Sequence, residues 1–342
     1  MTAPARPGAR NLITDVPGLA VGQAEDAAAR TGVTVILPDA AAVAACSVAG
    51  GGPGTRETDA LALDTLVDAV DAIVLAGGSV YGLAAADAVA AWLGEQGRGF
   101  RLAVRAGVPP SPIVPAAILY DLANGGDKAW GLEPPYRALG LAAVRAAGRD
   151  FALGGAGAGY GALAGALKGG TGSASAVTRD GFTVGALAAV NSFGSVIAPG
   201  GRSFWAAPYE AGAEFGGLGP AGLVAGLDDW GASKAAAQPG ASTTIACVAT
   251  DAVLTPAQAR RVAIMAQDGL ARAIRPAHGP TDGDVVFALS TGRRPLGEPV
   301  PMALARIGAL AADCLARAIA RGVYEATAWP GGEAVCWRDL PA

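Results

Sequence analysis

Apolar residues in this chain come in short runs separated by glycine-rich punctuation, and the spacing inside each run predicts its element. Val33-Thr-Val-Ile-Leu37, ended by Pro38-Asp39, predicts a buried strand. Leu63, Leu66, Val67 and Val70 recur at helical spacing and predict a helix, and Ala72-Ile-Val-Leu-Ala76 predicts a short strand after it. Gly77-Gly-Ser-Val-Tyr-Gly82 then turns the chain into a second apolar helix carrying Leu83, Val89, Trp92 and Leu93. Thr183-Val-Gly-Ala-Leu-Ala-Ala-Val190 reads as another buried strand ending at Asn191, and Thr243-Thr-Ile-Ala-Cys-Val-Ala249 as a β-branched one. Thr255-Pro256 has an N-cap residue followed by a proline suited to the first helical position; this helix runs through Val262, Met265, Ala266, Leu270 and Ile274 and stops at Pro276. Thr281-Asp-Gly-Asp284 is a tight turn feeding the strand Val285-Val-Phe-Ala-Leu289, and Leu304, Ile307, Leu310 and Leu315 mark a last helix. Alternation of strand and helix implies a layered α/β fold. One stretch breaks the pattern: residues 206–242 are rich in Ala, Gly and Pro, hold no steady period, and predict an exposed linker.

Composition narrows the classes. At 342 residues the chain suits two domains or one large α/β unit. With 52% hydrophobic and 16% charged residues it is not a disordered chain. A net charge of −4 leaves no basic excess to neutralise phosphates, so nucleic acid is not an expected partner. Mean hydropathy is high at +0.38, yet no uninterrupted apolar run reaches the ~18 residues of a membrane helix, so no membrane is expected. The chain has one histidine, His278, and its cysteines Cys46, Cys247, Cys314 and Cys336 form no CxxC pair, which argues against a zinc site. No metal or cofactor is expected. The opening residues lack the apolar core of a signal peptide, and free thiols suit a cytoplasmic enzyme.

Candidate chemistry gathers where the irregular stretch ends abruptly on a strand that begins with hydroxyl residues. Ordinary β-propensity accounts for Ser-Thr-Thr at such a place. The sharper reading is an N-terminal nucleophile: a threonine hydroxyl needs a base, and cutting the bond before it frees an α-amine of pKa ~7.7–8.0 to serve as one. Such an enzyme needs no catalytic histidine. Asp282 and Asp284, at i and i+2 across a glycine, project the same way in an extended segment and would orient the nucleophile or share a proton; the alternative is a solvated turn. Asn191 at a strand end suits an oxyanion donor or a satisfied strand-end amide. Lys168 is either a stabiliser of developing negative charge or an ordinary surface lysine. Gly159-x-Gly161-x-x-Ala164, with Asp180 downstream, loosely matches a dinucleotide fingerprint but lacks the strand before it. His278 fits a helix C-terminal cap better than a Ser-His-Asp triad.

Several motifs together carry a resemblance over nearly the whole chain: Asn11-Leu-Ile-Thr-Asp-Val-Pro-Gly18, Gly52-Pro-Gly-Thr-Arg-Glu-Thr-Asp59, Gly77-Gly-Ser-Val-Tyr-Gly-Leu83, Pro112-Ile-Val-Pro-Ala-Ala-Ile-Leu-Tyr-Asp121, Lys168-Gly-Gly-Thr-Gly-Ser-Ala-Ser175, Thr243-Thr-Ile-Ala-Cys-Val-Ala-Thr-Asp251 and His278-Gly-Pro-Thr-Asp-Gly-Asp284. The chain resembles the DmpA-type self-processing aminopeptidases, which include β-peptidyl aminopeptidases and nylon-oligomer hydrolases. The resemblance implies a four-layer αββα sandwich, similar to N-terminal-nucleophile hydrolases but differently connected. It implies a single-domain precursor cut at the Ser242–Thr243 bond into subunits 1–242 and 243–342. Thr243 would be nucleophile and base, Asn191 the oxyanion residue, and Asp282 and Asp284 the acids that hold the nucleophile. Tyr81 matches a tyrosine near the substrate, and Lys168 the lysine of a Lys-Gly-Gly motif. The implied activity is hydrolysis of peptides, amino-acid amides or nylon-type oligomers through an acyl-enzyme. The implied partners are a small-molecule or short-peptide substrate with a free amine, the second cleaved subunit, and further copies in a homotetramer of heterodimers. Two other readings stay open: N-acyl transfer of the ornithine acetyltransferase type, and a catalytically dead binding or assembly protein.

Overall fold

The computed structural model describes residues 5–222, 226, 229–234, 242–332 and 334–341. In chain order come β1 (Leu19–Asp26), β2 (Thr31–Pro38), β3 (Ala42–Val48), β4 (Thr55–Arg56), β5 (Ala69–Val70) and β6 (Ile73–Ala76). Helix α1 (Ala84–Glu95), β7 (Ala116–Ile118) and helix α2 (Tyr136–Arg145) follow. A small ribbon, β8 (Leu163–Ala164) with β9 (Leu167–Lys168), precedes β10 (Gly170–Val177) and β11 (Thr183–Asn191). The last elements are β12 (Thr243–Ala252), α3 (Pro256–Ala273), β13 (Val285–Arg294) and α4 (Val300–Tyr324). One mixed sheet has the order β1-β2-β6-β7-β4, the other β10-β11-β12-β13-β3-β5.

Three apolar layers hold four layers of structure together. Val33, Val35 and Val74 pack outward with Val89 and Leu93 of α1 and Val144 of α2. From the same sheet Val21, Ile36, Ile73 and Leu75 point inward, onto Leu187, Ile245, Cys247 and Phe287 of the second sheet. On the far side of that sheet, Ala186, Val248 and Val286 meet Val262 and Leu270 of α3 and Leu315 and Ile319 of α4. Alternation along each strand therefore feeds two cores, which explains why every residue of β11 and β12 is buried. Close approach is made by small residues: a Cβ on Gly172 of β10 would lie 1.8 Å from the Ala318 carbonyl of α4. The result is an α/β fold of two stacked mixed sheets flanked by helices, the four-layer αββα arrangement.

Helix α3 starts as its sequence requires, with a Thr255–Gln258 capping box and Pro256 in the first turn. Two expectations need correction. Residues 63–70 form turns ending in a strand pair, with Val70 opposite Ala42 and with Leu63 and Leu66 at 58% and 68% exposure. The Thr65 hydroxyl donates to the carbonyls of Ala60 and Ala62, so a local turn displaces the helix that the apolar spacing suggested. The stretch 206–242 is not an exposed linker in its first part. Phe215 is buried against Phe204, and the Glu214 carboxylate, itself buried, is clasped by Arg317 of α4 at 2.6 and 2.9 Å. Residues 235–241 of that stretch lie outside the described residues.

Candidate active site

The site is built where the second sheet's central strands end. In the antiparallel ladder of β11 and β12, Asn191 stands directly opposite Thr243. Opposed residues of such a ladder project to one face within about 5.5 Å of each other at Cα. One step earlier, Ser242 bridges to Asp282 in the parallel direction, and the Gly283 N–H donates to the Ser242 carbonyl at 3.1 Å. The Thr243 hydroxyl also donates to that carbonyl, in a close contact. The peptide joining Ser242 to Thr243 is thus buried, with its carbonyl oxygen held by a backbone N–H and its neighbouring hydroxyl against it. No side chain fits at 283, because a Cβ there would lie 2.6 Å from the Thr243 oxygen and 2.9 Å from the Gly52 carbonyl.

Both carboxylates of the Asp282-Gly-Asp284 turn are buried and face this peptide's surroundings. Asp284 accepts the Thr244 N–H at 2.8 Å through Oδ1, and through Oδ2 it accepts the His278 N–H at 3.1 Å and lies 2.9 Å from His278 Nδ1. His278 is therefore not a helix cap: its ring turns back onto Asp284. Burial pulls the imidazole's pKa down, but the hydrogen bond and charge of Asp284 outweigh it, and the net shift is upward. Asp282 accepts Gly279 N–H at 2.8 Å and Phe193 N–H at 3.4 Å, and burial together with the charge of Asp284 raises its pKa.

Asn191 is fixed by its neighbours. Its Oδ1 accepts the Leu163 N–H at 2.9 Å and its Nδ2 donates to the Tyr120 carbonyl at 2.9 Å, which decides the amide orientation because a backbone N–H can only donate. Lys234 reaches the same residue, donating from Nζ to the Asn191 carbonyl at 3.1 Å and to Oδ1 at 3.2 Å. Burial brings the Lys234 ammonium down to about 7, opposed by the charge of Asp282. Asn191 and Lys234 line a cavity of about 110 Å³ together with Tyr120, Asp121, Asn124 and Leu163. Asp121, held by the Thr31 hydroxyl and the Gly78 N–H at 2.7 Å each, is raised to about 6 by burial. A larger cavity of about 660 Å³ lies between α1 and α2, and none of the candidate residues lines it.

Lys168 and Tyr81 stand further off. Lys168 is fully buried, and its Nζ donates to the carbonyls of Gly169, Ala162 and Gly159 at 2.8, 3.2 and 3.4 Å. Burial lowers it to about 7. It therefore ties together the loop that presents the Leu163 N–H to Asn191. Tyr81 is 46% exposed, on a turn whose ring meets Trp130 edge-on at 5.7 Å. It is linked to the site through Gly78 and Asp121.

The model for peptidase family S58 matches residues 11–335. The chain belongs to peptidase family S58. This is the DmpA-type family of self-processing aminopeptidases, and the fold of the S58 chain is of the N-terminal-nucleophile-hydrolase type. An uncharacterized aminopeptidase of Mycobacterium bovis is 47% identical over 92% of this chain and 94% of its own length. A 6-aminohexanoate-oligomer endohydrolase of Kocuria sp. is 30% identical over 83% of this chain and 76% of its own length. Among solved structures, a Burkholderia sp. beta-aminopeptidase shares the fold with a TM-score of 0.72 at 24% identity, covering 99% of this chain and 94% of that one. No helix among the described residues is long and apolar enough to cross a membrane.

Sequence reasoning on the S58 chain missed two of the groups now seen together. Lys234 escaped because its surroundings read as linker, although it is the one basic residue between 206 and 242. His278 reads from the sequence as a helix cap, although Asp284, its partner, stands six positions away.

Proposed function

We propose that this S58 protein cuts itself between Ser242 and Thr243 and then works as an N-terminal-threonine amide hydrolase. The observation that carries this reading is the Thr243 hydroxyl packed against the Ser242 carbonyl, whose oxygen also accepts the Gly283 N–H. In the first stage Thr243 Oγ1 bonds to the Ser242 carbonyl carbon, the developing oxyanion stays on the Gly283 N–H, and the hydroxyl proton passes to the departing Thr243 nitrogen. Water then hydrolyses the ester, leaving a Ser242 carboxylate and a free Thr243 amine. In the second stage that amine takes the hydroxyl proton while Oγ1 attacks a substrate amide. Asn191 supports the oxyanion, the substrate's amine leaves with a proton, and water releases the acyl group.

Asp284 and Asp282 hold the backbone on either side of the nucleophile. Lys168 supports the Asn191 loop, and Tyr81 with Trp130 forms an outer rim. Carboxylates at Asp121 and Asp282 suit a substrate carrying a free amine. Short peptides, amino-acid amides and aminohexanoate-type oligomers are that class, consistent with what the names of the mycobacterial and Kocuria relatives say of those proteins. The working form is a homotetramer of cut heterodimers in the cytoplasm.

Denaturing electrophoresis with N-terminal sequencing tests the first stage: two bands are expected, one starting Thr-Thr-Ile. Active protein that remains one chain overturns the reading. A panel of aminoacyl nitroanilides and aminohexanoate oligomers, compared with their N-acetylated forms, tests the substrate class.

A further inference from the structure

Residues 229–234 precede the proposed cut, yet they are seated on the site by contacts independent of it. The Ala166 N–H donates to the Ala232 carbonyl at 2.7 Å, and the Lys234 N–H to the Phe193 carbonyl at 2.9 Å. Trp230 meets the Phe193 ring edge-on at 5.9 Å, and Gly231 N–H closes a turn on Asp229 at 2.8 Å. Phe193 is also the residue whose N–H binds Asp282. This seat puts Lys234 Nζ on both oxygens of Asn191, one residue across the ladder from Thr243.

We infer that Lys234 is a positioning residue of the mature site, acting through Asn191, and that the stretch carrying it stays docked after the chain is cut. The inference rests on the hydrolase reading above. A cation on Oδ1 draws electrons from the amide and makes its Nδ2–H groups stronger donors, and two donors on one residue lock its rotamer. Burial that brings the lysine to about 7 leaves the ammonium substantially populated at neutral pH, facing Asp282 and sharing its cavity with Asp121. The carbonyl attacked during self-cleavage is held by Gly283 instead, so the two stages depend on Lys234 differently.

Lys234→Met and Lys234→Gln separate these roles. Both variants are expected to cut themselves fully. Lys234→Met then loses about 10- to 100-fold in kcat on an aminoacyl nitroanilide, with KM within about threefold of native, and Lys234→Gln, which keeps a donor without the charge, falls between the two. Intact mass after gel filtration should retain residues 229–234 on the large subunit of active protein. A Lys234→Met enzyme with native kcat, or one with native kcat and raised KM, overturns the inference. So does loss of self-cleavage in folded Lys234→Gln, which would place the lysine in the first stage. Native protein that never cuts itself defeats the hydrolase reading instead, a distinct outcome.

Discussion

Gly283 owes its identity to what faces it. Its missing side chain leaves room for the Thr243 hydroxyl, and its N–H holds the carbonyl that hydroxyl would attack. Gly283→Ala is therefore expected to slow self-cleavage at least tenfold, roughly the effect of disturbing one oxyanion contact, as followed by the decay of the full-length band. Cutting at the native rate would contradict the assigned geometry. Thr243→Ala should remain a single chain on denaturing gels and show no hydrolysis. His278 makes a prediction about pH. Its pKa is raised by Asp284 in the folded protein, so the pairing stabilises most below the unfolded value of ~6.5 and is lost as pH rises through the folded value. In the uncut Thr243→Ala background, the midpoint temperature should decline across that window, and adding His278→Gln should flatten the decline. Equal slopes with and without the imidazole would refute the pairing. The acidic pair and Asn191 could be singled out from the sequence by their types and their positions at element ends, but those features left a solvated turn and a satisfied amide open, and the burial of both carboxylates is set by the fold. Lys234 was not legible, because it acquires its partner only when separate elements meet, and His278 was not, because its ring reaches Asp284 only through the fold of the loop between α3 and β13.

At the scale of elements, the long apolar runs gave the central strands and α3 directly, since β-branched stretches and a capping box bias the backbone before any packing occurs. The short run at 63–70 did not, because four apolar residues constrain a helix weakly and the Thr65 turn and the β3 edge offer alternatives. The segment around Glu214 shows the same limit from the opposite side. Its Ala-, Gly- and Pro-rich composition without a steady period suggested exposure, but one bidentate ion pair to Arg317, with Asn11 donating to Glu214 and accepting from Arg317, pins it to α4. Glu214→Ala leaves the Arg317 cation buried and unpaired, and should cost about 3–5 kcal/mol in urea unfolding. Adding Arg317→Met should recover part of that loss. A single variant with native stability would mean the pair holds nothing in place.

For the whole molecule, the proposed cut falls inside a sheet rather than between domains. Strands β12 and β13 belong to 243–342 and sit between β11 and β3 of the preceding chain, while α3 and α4 cover strands from both parts. Two fragments so interleaved should co-elute in native gel filtration and separate only under denaturant; native dissociation would be incompatible with this topology. Composition and hydropathy pattern alone established a layered α/β protein with an irregular segment ahead of a hydroxyl-led strand, because those features depend on local propensity and on the periodicity of burial. The motifs spread along the chain pointed to the family. Which lysine touches Asn191, and that a glycine N–H holds the Ser242 carbonyl, were decided only by tertiary structure, because each joins backbone segments tens of residues apart whose register no local pattern encodes; the lone histidine meets Asp284, six residues on, only through the fold of the loop between α3 and β13.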